Sequence, residues 1–221
     1  MVTSGQMKKF SFLATLLIIL LGMAGSSSAT LIGVELALPD IYSNSTGVYS
    51  YNSASDLLTC TAQASTITFD GTTLIPITGG SYSLQFKVDS SGSFLNGVSG
   101  DDLIIRGTFT YGSTTYTGDL LTGEVTNFGW QNIPGTKYAL FDLTFDARGG
   151  VLKDFYAGSG NKGGDIFTSE ISNFTGNWDV NHSGSKVKHD TAPVPEPATI
   201  LLFGLGMVGI AVFGRRRFRR T

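Results

Sequence analysis

The stretch ALFDLTFDA, residues 139–147, gives the clearest indication of how this chain folds. Its apolar and polar side chains alternate, so that Phe141, Leu143 and Phe145 fall on one side of an extended backbone. Successive side chains of a β-strand point to opposite faces, whereas those of an α-helix return to one face every three to four residues. The stretch therefore predicts a strand with one face in a hydrophobic core and the other in water.

The same alternation recurs on both sides of this stretch. In SYSLQFKV, residues 81–88, every second side chain is aromatic or aliphatic. Turns that contain glycine, such as Asp70-Gly71 and Gly79-Gly80, separate the runs, and none of the runs has the period of an amphipathic helix. Short strands at this spacing predict an all-β domain, an antiparallel β-sandwich or jelly roll, over residues 30–176. Further strands are predicted at residues 65–69, 103–111, 114–121, 124–130 and 151–155.

The alternating pattern fades beyond this domain. Residues 177–193 are mainly polar and end in Ala192-Pro193. A segment of this composition buries too little apolar surface to compensate for the entropy lost on ordering. It is therefore predicted to be a polar linker between the β domain and the C-terminal segment.

The N-terminus has the three parts of a secretory signal peptide. Two lysines form its basic start, and an almost wholly apolar run follows from Phe10 to Met23. Ser27 and Ala29 then supply the small side chains that signal peptidase recognises. We therefore expect residues 1–29 to be cleaved from the exported protein. The alternative, a retained N-terminal anchor, would need an apolar run of about 20 residues.

Charge is distributed unevenly along the chain. Between Thr30 and Val194 there are 16 acidic and 8 basic residues, a net charge of −8, although the whole chain carries −2. Nucleic-acid binding needs a basic surface for phosphate contacts, and electrostatic attachment to anionic lipid needs one as well. The exported part is therefore not expected to bind nucleic acid.

Cys60 is the single cysteine, which excludes an intramolecular disulfide. A lone cysteine in an exported protein can be a reactive thiol or can pair with another chain. It can equally be a small buried hydrophobic side chain, which its apolar neighbours Leu57, Leu58 and Ala62 favour. The sequence leaves both alternatives open.

The chain ends in VPEPATILLFGLGMVGIAVFGRRRFRRT, residues 194–221. Residues 198–213 carry no charge, and as a helix they would be about 24 Å long, less than the roughly 30 Å of a bilayer's hydrocarbon core. The arginines beyond them can reach the phosphate level, and basic residues beside a membrane span favour the cytoplasmic side. We therefore expect one transmembrane helix with the β domain outside. The residues expected on the cytoplasmic side are Arg215, Arg216, Arg217, Arg219 and Arg220.

Three elements occur here in order: Val194-Pro195-Glu196-Pro197, a short apolar run with glycines, and an arginine cluster. Together they resemble the C-terminal sorting signal called PEP-CTERM, which exported proteins of Gram-negative bacteria carry. The resemblance implies processing near the motif by an exosortase, an integral-membrane protease or transpeptidase. The chain would be held in the inner membrane until the tail is cut, and its body would then pass to the surface. Bacteria with this system tend to make exopolysaccharide and biofilm.

The chemistry of the motif suits such processing. Prolines on both sides of Glu196 prevent a regular helix and favour an extended backbone at the membrane face. A carboxylate is costly inside a bilayer, so Glu196 also limits where the apolar segment can start. More distantly, residues 118–130 and 141–145 resemble the β-rich bodies often attached to this tail, and no activity follows from that likeness.

The sequence offers few side chains that are suited to catalysis. His182 and His189 are the only histidines, and a linker would leave them without a fixed position near a nucleophile or a metal. A glycosidase needs only two carboxylates across a cleft, but strand alternation places several of the candidates on the wet face. The acids considered for such a pair are Asp101, Asp102, Asp119, Glu124, Asp142 and Asp146.

Metal and cofactor sites are equally weakly indicated. Asp101 and Asp102 could offer oxygen ligands to calcium from a loop, although no EF-hand spacing accompanies them. Two stretches match G-x-G-x-x-G: residues 158–163 follow a possible strand but precede no helical pattern, and residues 204–209 lie inside the predicted membrane segment, so neither has the context that a dinucleotide site requires. No cofactor and no metal is therefore expected.

These observations favour a non-enzymatic surface or matrix protein over an enzyme. Such a β domain could contact exopolysaccharide through aromatic side chains on a sheet face, although core packing would explain the same residues. An extracellular glycan-active enzyme and a permanently anchored periplasmic protein are the alternatives. The aromatic candidates for a sugar platform are Tyr49, Tyr51, Tyr111, Tyr116, Trp130 and Trp178.

Overall fold

The computed structural model of the protein describes residues 31–44, 46–171 and 174–195. These residues are almost entirely in strands, so the expectation of an all-β domain is confirmed. The elements are β1 (Asp40–Ser43), β2 (Gly47–Asn52), β3 (Leu57–Ala62), β4 (Ala64–Thr68), β5 (Ile75–Pro76), β6 (Thr78–Val88), β7 (Phe94–Gly97), β8 (Leu103–Tyr111), β9 (Thr114–Asn132), β10 (Tyr138–Gly149), a 3-10 helix (Lys153–Ser159), β11 (Lys162–Glu170) and β12 (His182–Pro193).

Eight of the strands close into an antiparallel barrel. Their order is β11–β10–β9–β8–β6–β3–β2–β12, and β12 pairs in turn with β11. The described residues therefore form one continuous closed sheet and not the predicted two-sheet sandwich or jelly roll. Alternation shows which side chains face the core, but it is the same in a sandwich and in a barrel, so it could not distinguish them.

The ALFDLTFDA stretch lies in β10 and lines the core as predicted. Phe141, Leu143 and Phe145 are fully buried. Phe141 stacks on Phe167 of β11 and on Tyr49 of β2, with ring centroids 4.6 Å and 5.3 Å away. Burying each such side chain stabilises the fold by about 1.5–3 kcal/mol. The barrel interior is thus a packed hydrophobic core.

The predicted polar linker over residues 177–193 is wrong. Residues 182–193 form β12, which is hydrogen-bonded to β11 on one side and to β2 and then β1 on the other. Val187 is fully buried, and so are the polar side chains of His189 and Thr191. The linker interpretation required apolar side chains for ordering, whereas this strand is held by two backbone ladders and by polar side chains with partners inside the barrel. The β domain therefore extends to the end of β12.

The strand predicted at residues 151–155 is also wrong. The chain forms the 3-10 helix there, and Gly160, with φ of +64°, ends it. Leu152 and Tyr156 are buried, so the apolar positions follow a helical turn of four residues instead of alternating. The other predicted strands are present, two of them joined into β9.

Some predictions concern residues outside the described ranges. They are the signal peptide with Ser27 and Ala29, the motif residues Glu196 and Pro197, the transmembrane helix over residues 198–213, and the arginines from Arg215 onward. Within residues 31–44, 46–171 and 174–195, no helix has the length and apolar character needed to cross a bilayer.

The barrel has two ends, which β12 connects. This strand begins at the far end with His182 and finishes at the tail end with Pro193, and twelve residues of strand are roughly 40 Å long. The far end carries the loops at residues 53–56, 89–93, 133–137 and 171–181. The tail end carries the 70–74 loop, the tip of the β8–β9 hairpin and the 3-10 helix.

Candidate functional site

The first residues of the predicted sorting motif lie directly on the barrel. The Val194 amide donates a hydrogen bond to the Lys162 carbonyl (3.1 Å), and the Ala37 amide donates one to the Pro193 carbonyl (2.8 Å). Val194 is half-buried and Pro195 is exposed. The motif therefore begins within two residues of the last strand, without an intervening linker.

The N-terminal segment of the domain lies beside this exit point. The Asp142 carboxylate accepts hydrogen bonds from the amides of residues 32–34, at 3.0, 2.7 and 3.3 Å. Asp142 is 3% exposed, so its predicted place on a wet face is wrong, because this segment covers it. A Cβ atom on Gly164 would come within 2.3 Å of Val34 and 2.9 Å of Val194. The segment around Val34 and the start of the motif at Val194 thus both pack against β11 at the tail end.

A buried polar pair occupies the barrel interior. His189 Nδ1 lies 2.9 Å from Asp165 Oδ2, and Thr191 Oγ1 donates a 2.5 Å hydrogen bond to Asp165 Oδ1. These side chains are at most 2% exposed, and Tyr82 stacks on the imidazole with ring centroids 3.6 Å apart. Sequence reasoning missed the pair because the linker interpretation removed His189 from the fold. Continuing the alternation from Val187 would have placed His189 on the inner face.

Cys60 lies in the same interior and is fully buried. Burial and the charge of Asp165 raise the pKa of its thiol well above the usual value. A thiol that stays protonated and shielded from solvent is a poor nucleophile and a poor metal ligand. Of the two alternatives that the sequence left open for Cys60, the structure supports the second, a small buried hydrophobic side chain.

Four of the six carboxylates considered for catalysis, all but Asp101 and Glu124, are engaged by the fold itself. Asp102 is 2% exposed and accepts backbone hydrogen bonds from Val98 (2.7 Å) and Val125 (2.9 Å). Asp119 and Asp146 each form an ion pair with a basic residue of the neighbouring strand. The loop considered for calcium therefore has one of its two carboxylates turned inward. In the described part of the chain, no three His, Cys, Asp or Glu side chains are arranged to hold a metal ion.

Asp40 and Asp190 form a carboxyl pair that the sequence did not indicate. The register of β1 on β12 sets Asp190 opposite Tyr42, and Asp40, two residues earlier, shares their face. Burial comes first among the causes that raise the pKa of Asp190 to about 8, followed by a hydrogen bond to Asp40 and its charge. The pair therefore holds a proton at neutral pH. Tyr42, Lys188 and Asp190 line a groove of about 490 Å³ on this face.

Because of this pair, the free energy of unfolding should fall as the pH rises from about 6.5 to about 8, above the range in which the lowered pKa of His182 makes stability rise with pH. Asp190 has an ordinary pKa near 4 in the unfolded chain and about 8 in the fold. Between about pH 4 and pH 8 the folded state therefore binds one more proton than the unfolded chain, and the stability gained from this proton is lost as the pH rises through the folded pKa. The change should be on the order of 1–2 kcal/mol, since solvent screens this partly exposed group.

Urea denaturation across this pH interval measures the effect. Asp190→Asn should flatten the pH dependence, because the amide cannot titrate. Asp154→Asn, which alters an exposed acid of the 3-10 helix, is the matched control and should keep the wild-type slope. A slope that persists in Asp190→Asn would contradict the assignment.

Four of the aromatic candidates for a sugar platform are instead buried at the far end and along the core. Trp130, Trp178, Tyr49 and Tyr51 are 0–7% exposed, so core packing is their role. His182 lies among them and stacks on Tyr51 with ring centroids 4.9 Å apart. Burial lowers the pKa of His182 to about 4, so it packs as a neutral ring. This aromatic cluster closes the far end of the core.

A pocket of about 540 Å³ lies against this cluster. Its apolar side includes Phe174, whose ring contacts Trp130 and Trp178 with centroids 5.4 Å and 5.5 Å away. Its polar groups come from the β9–β10 loop and the residues beside it. The lining consists of Asn132, Gly135, Thr136, Lys137, Tyr138, Ile171 and Phe174.

Glu170 holds the polar side of the pocket in place. It forms ion pairs with Lys137 and with Lys186, the latter at 2.7 Å. Hydrogen bonds and charge from these two lysines hold the pKa of Glu170 at about 2. The Tyr138 hydroxyl donates a further 3.4 Å hydrogen bond to it. The Lys137 ammonium group and the Tyr138 ring are thereby held beside the pocket.

The remaining aromatic candidates lie at the tail end, on the β8–β9 hairpin. Tyr111 is 46% exposed. Tyr116 is half-buried and stacks on Phe109 with ring centroids 4.8 Å apart. Of the six candidates, Tyr111 alone is an exposed side chain.

Comparison with protein families supports the interpretation of the tail. A PEP-CTERM protein-sorting motif matches residues 193–217, from the last residue of β12 to the third arginine of the cluster. No curated protein and no solved structure matches the chain. The motif marks an exported protein that an exosortase sorts by way of a membrane-anchored intermediate. The C-terminal end of this chain is therefore a PEP-CTERM sorting segment.

Proposed function

We propose that this protein is an exported surface or matrix protein of a Gram-negative bacterium that binds exopolysaccharide through its far-end pocket and has no catalytic activity. The sorting motif supports delivery to the cell surface. The observation that carries the binding function is the pocket, which sets an aromatic ring beside amide, hydroxyl and ammonium groups.

This combination matches the chemistry of a sugar. A pyranose ring has an apolar face of C–H groups, which stacks on aromatic rings, and a rim of hydroxyls, which need hydrogen-bond partners. Phe174 offers the ring, while Asn132, Thr136 and Lys137 offer the partners. The volume of about 540 Å³ lies within the range typical of small-ligand sites, roughly 300–1,000 Å³.

The position of the pocket suits binding at a surface. It lies at the far end, and the tail leaves the barrel at the other end of β12. With the arginines in the cytoplasm and the body outside, the pocket faces away from the membrane in the anchored intermediate. After cleavage by signal peptidase and then by the exosortase, the barrel would carry the pocket to the surface.

The alternative of a glycan-active enzyme has less support. Glycosidase carboxyl pairs are about 5–9.5 Å apart, with a sugar between them. Asp40 and Asp190 instead share one face of two neighbouring strands, and Asp40 is 8% exposed, so it is poorly accessible to a sugar. Asp102 and Asp142 are bonded to backbone amides. We therefore assign the carboxylates to the fold.

Binding of exopolysaccharide from an exosortase-bearing host tests the proposal. Lys137→Met should weaken binding about tenfold, since a hydrogen bond from a charged group contributes about 1.5–3 kcal/mol. The methionine keeps most of the side chain's bulk. Lys153→Met, at the tail end, is the matched control and should bind as the wild type does. Absence of binding by the wild type, or equal affinities of the two variants, would contradict the function.

A further inference from the structure

The end of the barrel from which the tail leaves must lie close to the bilayer while the chain is anchored. Pro195 is the last described residue, and the apolar run begins at Ala198. Three residues span at most about 11 Å even when fully extended. The tail end of the barrel is therefore within about 11 Å of the point where the chain enters the membrane.

Exposed hydrophobic side chains are concentrated at this same end. Eight large hydrophobic residues of the described chain are exposed, and five of them belong to the tail end. Strand pairing places these residues there. Leu38 comes directly before β1 and Leu74 directly before β5, at strand ends that lie at the tail end. Tyr111 belongs to the β8–β9 hairpin, which extends past the last residue of β10. The five are Leu38 (44% exposed), Leu74 (58%), Tyr111 (46%), Val151 (42%) and Phe155 (40%).

Aromatic stacking forms the centre of this tail-end patch. Phe69, at the end of β4, stacks on Tyr111 with ring centroids 4.1 Å apart and contacts Phe155 at 5.2 Å. Three separate elements, namely β4, the hairpin and the 3-10 helix, thus contribute rings to one cluster. The cluster is held together by its own contacts and still leaves two of its three rings substantially exposed.

Charges around the patch are balanced by ion pairs. Arg106 pairs with Asp119 on the hairpin at 2.6 Å, and Lys162 pairs with Asp146 beside the 3-10 helix. Further charges at this end also cancel, with Arg148 and Lys153 against Asp70 and Asp154, so the surface has no basic excess that would attract anionic headgroups. Any contact with lipid should depend on apolar and aromatic side chains and should resist added salt.

We infer that the tail-end patch, Phe69, Tyr111 and Phe155 with Leu38, Leu74 and Val151, rests on the bilayer surface in the anchored intermediate. Tyrosine favours the membrane–water interface, where its ring is in an apolar environment and its hydroxyl is wet, and phenylalanine and leucine can enter the boundary of the acyl chains. The contact orients the barrel so that β12 points away from the membrane and Pro195 stays at the surface where the exosortase acts. This inference rests on the anchoring that the proposed function includes.

Fluorescence quenching by lipids with brominated acyl chains tests the contact. The full chain is reconstituted into vesicles of neutral phospholipid, with Phe155→Trp as the reporter variant. The native Trp130 and Trp178 are buried at the far end, so wild-type emission provides the baseline. Val180→Trp, at an exposed far-end position, is the matched control.

Phe155→Trp should lose emission in brominated vesicles relative to ordinary ones, also at high salt, whereas Val180→Trp should not. Equal emission of both variants in the two kinds of vesicle would overturn the inference. So would a Phe155→Trp variant that is not quenched but whose emission shifts on adding exopolysaccharide, because the patch would then be a glycan surface. Flotation of the vesicles tests the anchoring separately: if the chain does not float with them, the anchoring fails and the inference with it.

Discussion

Replacing Asp165 with alanine should lower the free energy of unfolding by about 3–5 kcal/mol, the cost typical of removing one partner from a buried pair. Asp165 is fully buried, accepts a hydrogen bond from Thr191 and lies 2.9 Å from the His189 ring. Without the carboxylate, a hydroxyl and an imidazole would be left in the core with no partner and no water. Urea or thermal unfolding of the folded domain measures the loss.

Asp146→Ala is the matched control for this experiment. Asp146 is also an aspartate of the barrel wall, but it is partly exposed and pairs with Lys162 at the surface. Exposed ion pairs contribute about 0–1 kcal/mol, so this variant should unfold almost as the wild type does. If Asp165→Ala cost no more than Asp146→Ala, the interior pair would not be the stabilising element described here.

Local alternation predicted the strands well and their arrangement poorly. Phe141, Leu143 and Phe145 are alternate residues of one strand, so they lie on the same face, and this is the face that packs in the core. Closure of the sheet depends on β12 pairing with both β11 and β2. The pairing of β12 with β2 joins strands from opposite ends of the domain, and no periodicity within one strand reports it.

The last strand shows why composition misled the prediction. Residues 182–193 look like a linker because apolar side chains are few. Yet the inner positions of β12 are filled by His189 and Thr191, which bury because Asp165 provides their partner. A buried polar side chain is tolerated when it is hydrogen-bonded, and the partner lies 24 residues away from His189. The sequence of the segment therefore does not contain the information that orders it.

The candidate sites also differ in whether the sequence could reveal them. The sorting motif could be recognised because its elements are contiguous, from Val194 to the arginines. Asp40 and Asp190 meet through the register of β1 on β12, and the far-end pocket combines the β9–β10 loop with Phe174. Neither arrangement leaves a local pattern. The sequence therefore revealed the sorting motif but not the far-end pocket of the barrel.

Replacing Glu196 with alanine should reduce release of the barrel about tenfold or more. If the exosortase binds this carboxylate through a charged hydrogen bond, its loss removes about 1.5–3 kcal/mol of recognition. The motif follows a folded strand that ends at Pro193, and its first proline, Pro195, is exposed on the barrel. The protein is expressed in an exosortase-bearing host, and the released body is quantified and its intact mass determined.

The mass also separates sorting from permanent anchoring. A released body that ends near Pro195–Pro197 requires cleavage at the motif, and Glu35→Ala, which changes an exposed acid near the other terminus, should release it at the wild-type rate. Full-length protein that stays in the inner membrane, whether or not Glu196 is present, would instead make the tail a permanent anchor. The far-end pocket would then act from a fixed position in the periplasm, within the roughly 40 Å that β12 places between it and the membrane.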